Sequence, residues 1–145
     1  MRNKRIRNRK ILRISLMSIM GIITFATLFL TLSIFFDWFG IREKEGNYVP
    51  MIVLANFISV IFYLIALGGL AVWKTWVPKV LLINLIFLIG GFIGLFLHIY
   101  LGGLYEEKTI GAMVFRISLA AVFWGASLLI GRKPKKKYNE IDREK

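Results

Sequence analysis

The sequence contains no cysteine, a single histidine and only eight acidic residues among 145. Without cysteine, disulfides, thiolate metal sites and redox-active thiols are excluded. One histidine, His98, is too few for a bis-histidine haem or a histidine-rich metal site. A glycine-rich phosphate loop, a nucleophile elbow and a zinc-binding histidine pair are also absent. We therefore expect no metal, no cofactor and no catalytic residue. The alternative is an enzyme in which His98 is a general base oriented by Glu106 or Glu107.

Long apolar segments dominate what is present. Hydrophobic residues make up 57% of the chain, and a transmembrane helix needs about 20 mainly apolar residues. Four segments meet this requirement: residues 11–36, 51–73, 80–104 and 109–131. The first is too long for a secretory signal, and no small-x-small cleavage site ends it. The sequence therefore predicts an all-α membrane protein in which residues 11–131 form one domain, a four-helix transmembrane bundle.

Basic residues are distributed unequally between the two predicted sides of the membrane. Sixteen of the 20 Lys and Arg residues lie in the N-terminal tail up to Arg13, in the loop between the second and third segments, and in the C-terminal tail. Only Arg42, Lys44 and Lys108 lie on the other side. Because basic loops remain in the cytoplasm, both termini are predicted to be cytoplasmic, with the chain in the plasma or inner membrane.

The two basic tails, residues 1–10 and 132–145, are predicted to contact anionic lipid headgroups on the cytoplasmic side. A basic run beside a spanning helix is typical of such contacts, so the net charge of +12 does not indicate a nucleic-acid partner. The residues expected to contact headgroups are Arg2, Lys4, Arg5, Arg132, Lys133 and Lys135.

Arg116 lies inside the fourth apolar segment, where an unsolvated charge is costly. A guanidinium remains charged, and at bilayer depth it costs from about 3 to more than about 10 kcal/mol. An ionisable residue at that depth is by default a functional-site candidate. Glu106 and Glu107, in the loop that leads into this segment, are its predicted partners. The structural alternative is that these acids only stabilise the dipole of the following helix.

Polar side chains on the other helices are predicted to share the depth of Arg116. At about 1.5 Å per residue, they fall about 8–10 Å below the outer ends of their segments and form one polar layer in the outer half of the membrane. Each of these side chains also has a purely structural interpretation. Asn56 and Thr31 would then form interhelical hydrogen bonds, and His98 would be a donor at the membrane interface. Arg116 would form a structural ion pair or extend its side chain toward the membrane surface. The predicted layer consists of Arg116, His98, Asn56 and Thr31.

Two functions follow from these features. The first is a noncatalytic accessory or assembly subunit that packs against a larger membrane complex or against copies of itself through its glycine-lined third helix. The second is a homo-oligomeric small transporter or channel, in which Arg116 and His98 attract an anionic or polar solute. The length and helix number resemble those of the small multidrug resistance transporters. The membrane-embedded Glu of their first helix has no counterpart in residues 14–36, which contain no acid.

Overall fold

The computed structural model describes residues 2–44 and 46–130, and all regular structure within these ranges is helical. The helices are α1 (Arg2–Phe35), α2 (Ile41–Lys44), α3 (Pro50–Ala71), α4 (Val77–Tyr100) and α5 (Glu107–Ile130), with one 3-10 turn (Trp38–Gly40) before α2. Four of them, α1, α3, α4 and α5, are long and apolar enough to cross a membrane. This confirms the predicted all-helical chain with four helices of membrane-spanning length and composition.

The four long helices form a closed ring. α1 packs against α3, α3 against α4, α4 against α5, and α5 against α1, whereas the diagonal pairs α1–α4 and α3–α5 make no close backbone contact. We call the end with residues 36–44, 46–49 and 101–106 the loop end. The other end, where α1 begins and α5 ends, is the terminal end. Two apolar clusters fill the ring. One contains Leu16, Met20, Tyr63, Ala66, Leu70, Val77, Leu81, Phe123 and Ile130, and the other Val49, Ile52, Leu85, Leu88, Leu95, Met113 and Ala120.

Glycines in α4 let this helix approach α3 closely. A Cβ on Gly91 would stand 3.5 Å from the Cβ of Ala55, and a Cβ on Gly94 would stand 2.8 Å from the Cε of Met51. Small residues allow such backbone approach between spanning helices. α4 is the third helix of the predicted bundle, whose glycine-lined surface is predicted to dock a partner. At Gly91 and Gly94 this surface is occupied by contacts within the bundle.

The helix ends differ from the predicted segments for local reasons. α1 already begins at Arg2, so the basic residues predicted as an N-terminal tail form its first turns. α4 ends at Tyr100 because Gly102 adopts a left-handed conformation with φ of 80°. Gly102 N–H donates to the Ile99 carbonyl and Gly103 N–H to the His98 carbonyl, both at 2.9 Å, which closes the helix in a Schellman motif.

The C-terminal end of α3 is held by a residue from α1. Arg13 donates from Nη1 to the carbonyl oxygens of Leu70 (3.1 Å) and Ala71 (3.2 Å). Its guanidinium lies 4.3 Å from the ring centroid of Trp73. Trp73 has a φ of 58°, a left-handed conformation that costs a non-glycine residue about 1–2 kcal/mol. The carbonyl hydrogen bonds and the cation–π contact offset this cost.

The structure does not describe the side chains of the six residues predicted to contact headgroups. Arg132, Lys133 and Lys135 fall in residues 131–145, and of Arg2, Lys4 and Arg5 only the helical backbone is described. These lipid contacts stay predictions.

Candidate functional site

A cleft of about 280 Å³ lies near the loop end between α1, α3 and α5. It forms there because α3 and α5 are diagonal neighbours that make no close backbone contact. We call it the Arg116 cleft. Its lining comprises the polar residues Tyr48, Asn56, Lys108, Thr109 and Arg116 and the apolar residues Leu30, Ile34, Val49, Ile52, Val53 and Ala112.

Arg116 enters this cleft from α5, about two and a half turns after the helix begins at Glu107. Its side chain is half-buried, and helical side chains lean toward the N-terminal end of their helix. That direction carries the guanidinium past the small Ala112 toward Lys108, which lines the same cleft. The charge also lies close enough to the Tyr63 hydroxyl to interact with it electrostatically. The Arg116 side chain therefore lies in a cleft of the bundle and does not face only lipid.

Asn56 faces the cleft from α3 with an acceptor that is not used. The residue is 8% exposed, and its Oδ1 atom has no hydrogen-bonding partner among the described residues. Leaving a buried acceptor unsatisfied costs about 1–3 kcal/mol. The carboxamide can rotate about its Cβ–Cγ bond, so the same position can present either an acceptor or a donor. Asn56 thus offers the cleft a hydrogen bond that the protein itself does not use.

Buried polar groups continue from Asn56 toward the middle of the bundle. Ser59 and Tyr63 follow it on the inner face of α3, and Asn84 of α4 lies beside Tyr63. Asn84 is 0% exposed. Although the Tyr63 hydroxyl is adjacent to both, the Ser59 hydroxyl and both polar atoms of Asn84 make no hydrogen bond within residues 2–44 and 46–130. We call Asn56, Ser59, Tyr63 and Asn84 the buried polar file.

His98 lies in the last turn of α4 and does not line the Arg116 cleft. Its Nε2 atom is 3.2 Å from the carbonyl oxygen of Leu104, to which it donates in the tautomer that carries a proton on Nε2. A Cβ on Gly103 would collide with the imidazole ring. His98 therefore fastens the loop after α4, and the glycine makes this close approach possible.

The predicted acids are placed at the loop end outside the cleft lining. The Glu106 carboxylate accepts a hydrogen bond from the Asn47 N–H (3.1 Å) and so joins the two loops. Lys108 joins the start of α5 to the end of α2 by donating to the Lys44 carbonyl oxygen (3.1 Å). Glu107 is exposed in the first turn of α5. Thr31 is buried on α1 but does not line the cleft.

Of the predicted site residues, the structure thus brings Arg116 and Asn56 together in one cleft. Sequence reasoning did not include Lys108, Thr109 and Tyr48. The spacing of Lys108, Ala112 and Arg116, four residues apart, carries a signal for the first, because such residues share a helix face. Tyr48 comes from a loop, where no periodicity predicts which way a side chain faces.

The described lining of the cleft is cationic. Among the described residues it holds two cationic side chains, Arg116 and Lys108, and no carboxylate. Among the described residues, no group of three or more His, Asp or Glu side chains comes together where it could hold a metal ion. No family model matches the sequence, and neither the curated proteins nor the solved structures contain a match. Function must therefore be inferred from the cleft itself.

Proposed function

We propose that this chain is a noncatalytic multi-pass protein of the cytoplasmic membrane, and that its Arg116 cleft binds the anionic group of a small polar solute. The single observation that carries the proposal is that two cationic side chains, Arg116 and Lys108, line one cleft in which the described residues include no acid. A guanidinium pairs with a carboxylate or phosphate through two parallel hydrogen bonds. In a site partly shielded from water this attraction is less screened than at the surface.

The free acceptor of Asn56 supports a solute that is polar as well as anionic. Asn56 lines the same cleft as Arg116, and its Oδ1 atom is buried without a hydrogen-bonding partner among the described residues. After the carboxamide rotates toward the cleft, a hydroxyl or amino group on the solute would satisfy that atom while the anionic group pairs with the guanidinium. The buried polar file extends inward from this point, which favours a transporter or channel over a purely structural site. A four-helix monomer is too thin for a wide aqueous path, so transport would require a homo-oligomer.

The orientation we propose places both termini in the cytoplasm and the Arg116 cleft near the opposite surface. The support is the charge distribution, since sixteen of 20 basic residues belong to the terminal side. The four acidic residues described by the structure, in contrast, all lie at the loop end: Asp37, Glu43, Glu106 and Glu107.

Thermal unfolding in mild detergent tests anion binding. The protein is heated with a carboxylate, phosphate, sulfate or quaternary ammonium salt at matched ionic strength. We expect at least one anion to raise the unfolding midpoint in a saturable way, because a ligand that binds only the folded state stabilises it by about 2.7 kcal/mol at 100 times its Kd.

Variants assign the effect to the cleft. Arg116→Lys should lower the affinity at least about tenfold, because a point charge does not reproduce the planar fork. Lys79→Gln is the matched control, since it removes one charge from an exposed residue at the other end of the bundle. Failure of every anion to protect, or equal protection of wild type and Arg116→Lys, would contradict anion binding at Arg116.

An accessory or assembly role, in which the chain packs against a larger membrane complex or itself, is the second candidate. The observation that favours it is open space beside glycines on all four long helices, since small residues allow another helix to approach. Mass measurement after purification in mild detergent distinguishes a foreign partner from a closed homo-oligomer. Within the four long helices, the glycines at which an added Cβ would meet no atom within 4 Å are Gly21, Gly68, Gly90, Gly111 and Gly125.

A further inference from the structure

A second cleft of about 280 Å³ lies at the terminal end, between α1, the α3–α4 connection and the end of α5. We infer that this Arg13 cleft binds the phosphate group of one anionic phospholipid. Its polar lining residues are Arg13, Lys74, Thr75 and Ser127. The inference concerns a different site from the Arg116 cleft and does not depend on solute binding there.

Arg13 is held in position before any ligand arrives. Two hydrogen bonds from Nη1 to the Leu70 and Ala71 carbonyls and the stacked Trp73 ring fix its guanidinium. Its Nε atom is buried and has no hydrogen-bonding partner in the described part of the chain. A guanidinium fixed in this way is preorganised, so its N–H donors that face the cleft lose little entropy when a ligand pairs with them. A phosphate oxygen is a strong acceptor for this group.

The described charges around Arg13 are of one sign. Lys74 is exposed beside it, and none of the four described acidic residues lines the cleft. Within the described ranges every acidic side chain lies at the loop end, on the far side of the bundle. Arg13 and Lys74 therefore present two positive charges that no described carboxylate neutralises. An anionic group is the complement to this cleft.

The remaining lining selects a lipid rather than a free phosphate ion. Residues such as Leu70, Leu128 and Ile130 form an apolar wall next to the polar groups. Trp73 and Trp76 lie in the connection at this end, where tryptophan is typical of the membrane interface. A ligand that joins a phosphate to a hydrocarbon chain matches both parts of the cleft, whereas inorganic phosphate would use only one.

Mass spectrometry of the full-length protein released from detergent micelles tests this site. The micelles contain equal amounts of phosphatidylglycerol and phosphatidylcholine. We expect wild type to retain one phosphatidylglycerol molecule with at least about tenfold preference over phosphatidylcholine. Lys74→Glu should abolish this preference, and Arg13→Lys should reduce it because the fork is lost. Lys79→Gln, which removes an exposed charge near this end outside the cleft lining, should leave it unchanged.

Lys74→Glu is the deciding variant, because Arg13 also holds the end of α3 and its replacement can lower stability. Equal retention of the two lipids by wild type, or an unchanged preference in Lys74→Glu, would overturn the inference. Thermal protection by inorganic phosphate at the same concentration as the lipid would show that the cleft binds a free phosphate ion, and would contradict a lipid as the ligand.

Discussion

Asn84 is an example of a polar side chain that is buried without a hydrogen-bonding partner among the described residues. The side chain is fully buried and neither its nitrogen nor its oxygen has a hydrogen-bonding partner among the described residues. In a membrane interior no lipid group can supply one. Leucine has the same number and branching of heavy side-chain atoms and no polar atom.

Asn84→Leu is therefore expected to stabilise the fold by about 1–3 kcal/mol, since it removes an unsatisfied amide. A raised thermal or denaturant midpoint of the purified protein would show this. Asn84→Ala is the control for volume, and its gain should be smaller because a cavity remains. A clear loss of stability in Asn84→Leu would show that the adjacent Tyr63 hydroxyl, water or a ligand satisfies the amide in the folded protein.

Some side-chain contacts could be predicted from the sequence, and others could not. Helical spacing placed Arg116 and Asn56 at one depth, and the structure puts both in one cleft. Depth alone did not reveal that the His98 ring lies against the Leu104 carbonyl. It also did not reveal that Glu106 accepts a hydrogen bond from Asn47, 59 positions earlier. Which loop atom a side chain meets depends on tertiary packing that one sequence does not show.

At the scale of elements, Gly102 determines where α4 ends. Its φ of 80° favours glycine, and a Cβ there would meet no neighbouring atom. Gly102→Ala should therefore destabilise the protein by about 1 kcal/mol through backbone strain alone. Gly111→Ala is the matched control, because Gly111 also has open space but lies within α5.

Thermal unfolding of the two variants should shift in opposite directions. Gly111→Ala is expected to stabilise α5 by about 0.5–1 kcal/mol, since alanine has the higher helix propensity. Equal and negligible effects of both substitutions would contradict the proposed role of Gly102 as a helix stop.

The spans themselves were predictable because length and apolarity define them, whereas the helix ends depend on single residues. The Gly102–Gly103 pair is a visible stop signal for α4. Trp73 is not, because its left-handed conformation at the end of α3 is held by Arg13, 60 positions earlier in the sequence. The sequence also predicts a basic tail at the N-terminus, where the structure has the first turns of α1. Lysine and arginine are compatible with a helix, and their charge indicates the side of the membrane rather than the backbone conformation.

For the whole molecule, the central expectation is that the terminal end faces the cytoplasm. A reporter that is active only in the cytoplasm should be active when it is fused to either terminus. A reporter that is active only outside the cytoplasm should be active in the loop at Arg42. The physical reason is the sixteen basic residues assigned to the terminal side against three opposite. A terminus found outside the cytoplasm would contradict this arrangement.

The most direct test of the Arg116 cleft uses the absence of cysteine from the chain. Single cysteines are introduced at Ala112, which lines the cleft, and at Phe115, which is exposed on the outer surface of the same helix. Intact cells are then treated with anionic or cationic membrane-impermeant methanethiosulfonates, and each rate is divided by that of a free thiol in solution.

We predict that Ala112→Cys is modified from the outside and that its normalised rate is higher for the anionic than for the cationic reagent. Arg116→Gln in the same background should remove this preference, because the guanidinium is its main source. Phe115→Cys should remain unmodified, since lipid covers that surface. No modification of Ala112→Cys from outside, or a preference for the cationic reagent, would contradict an anion-binding cleft at Arg116.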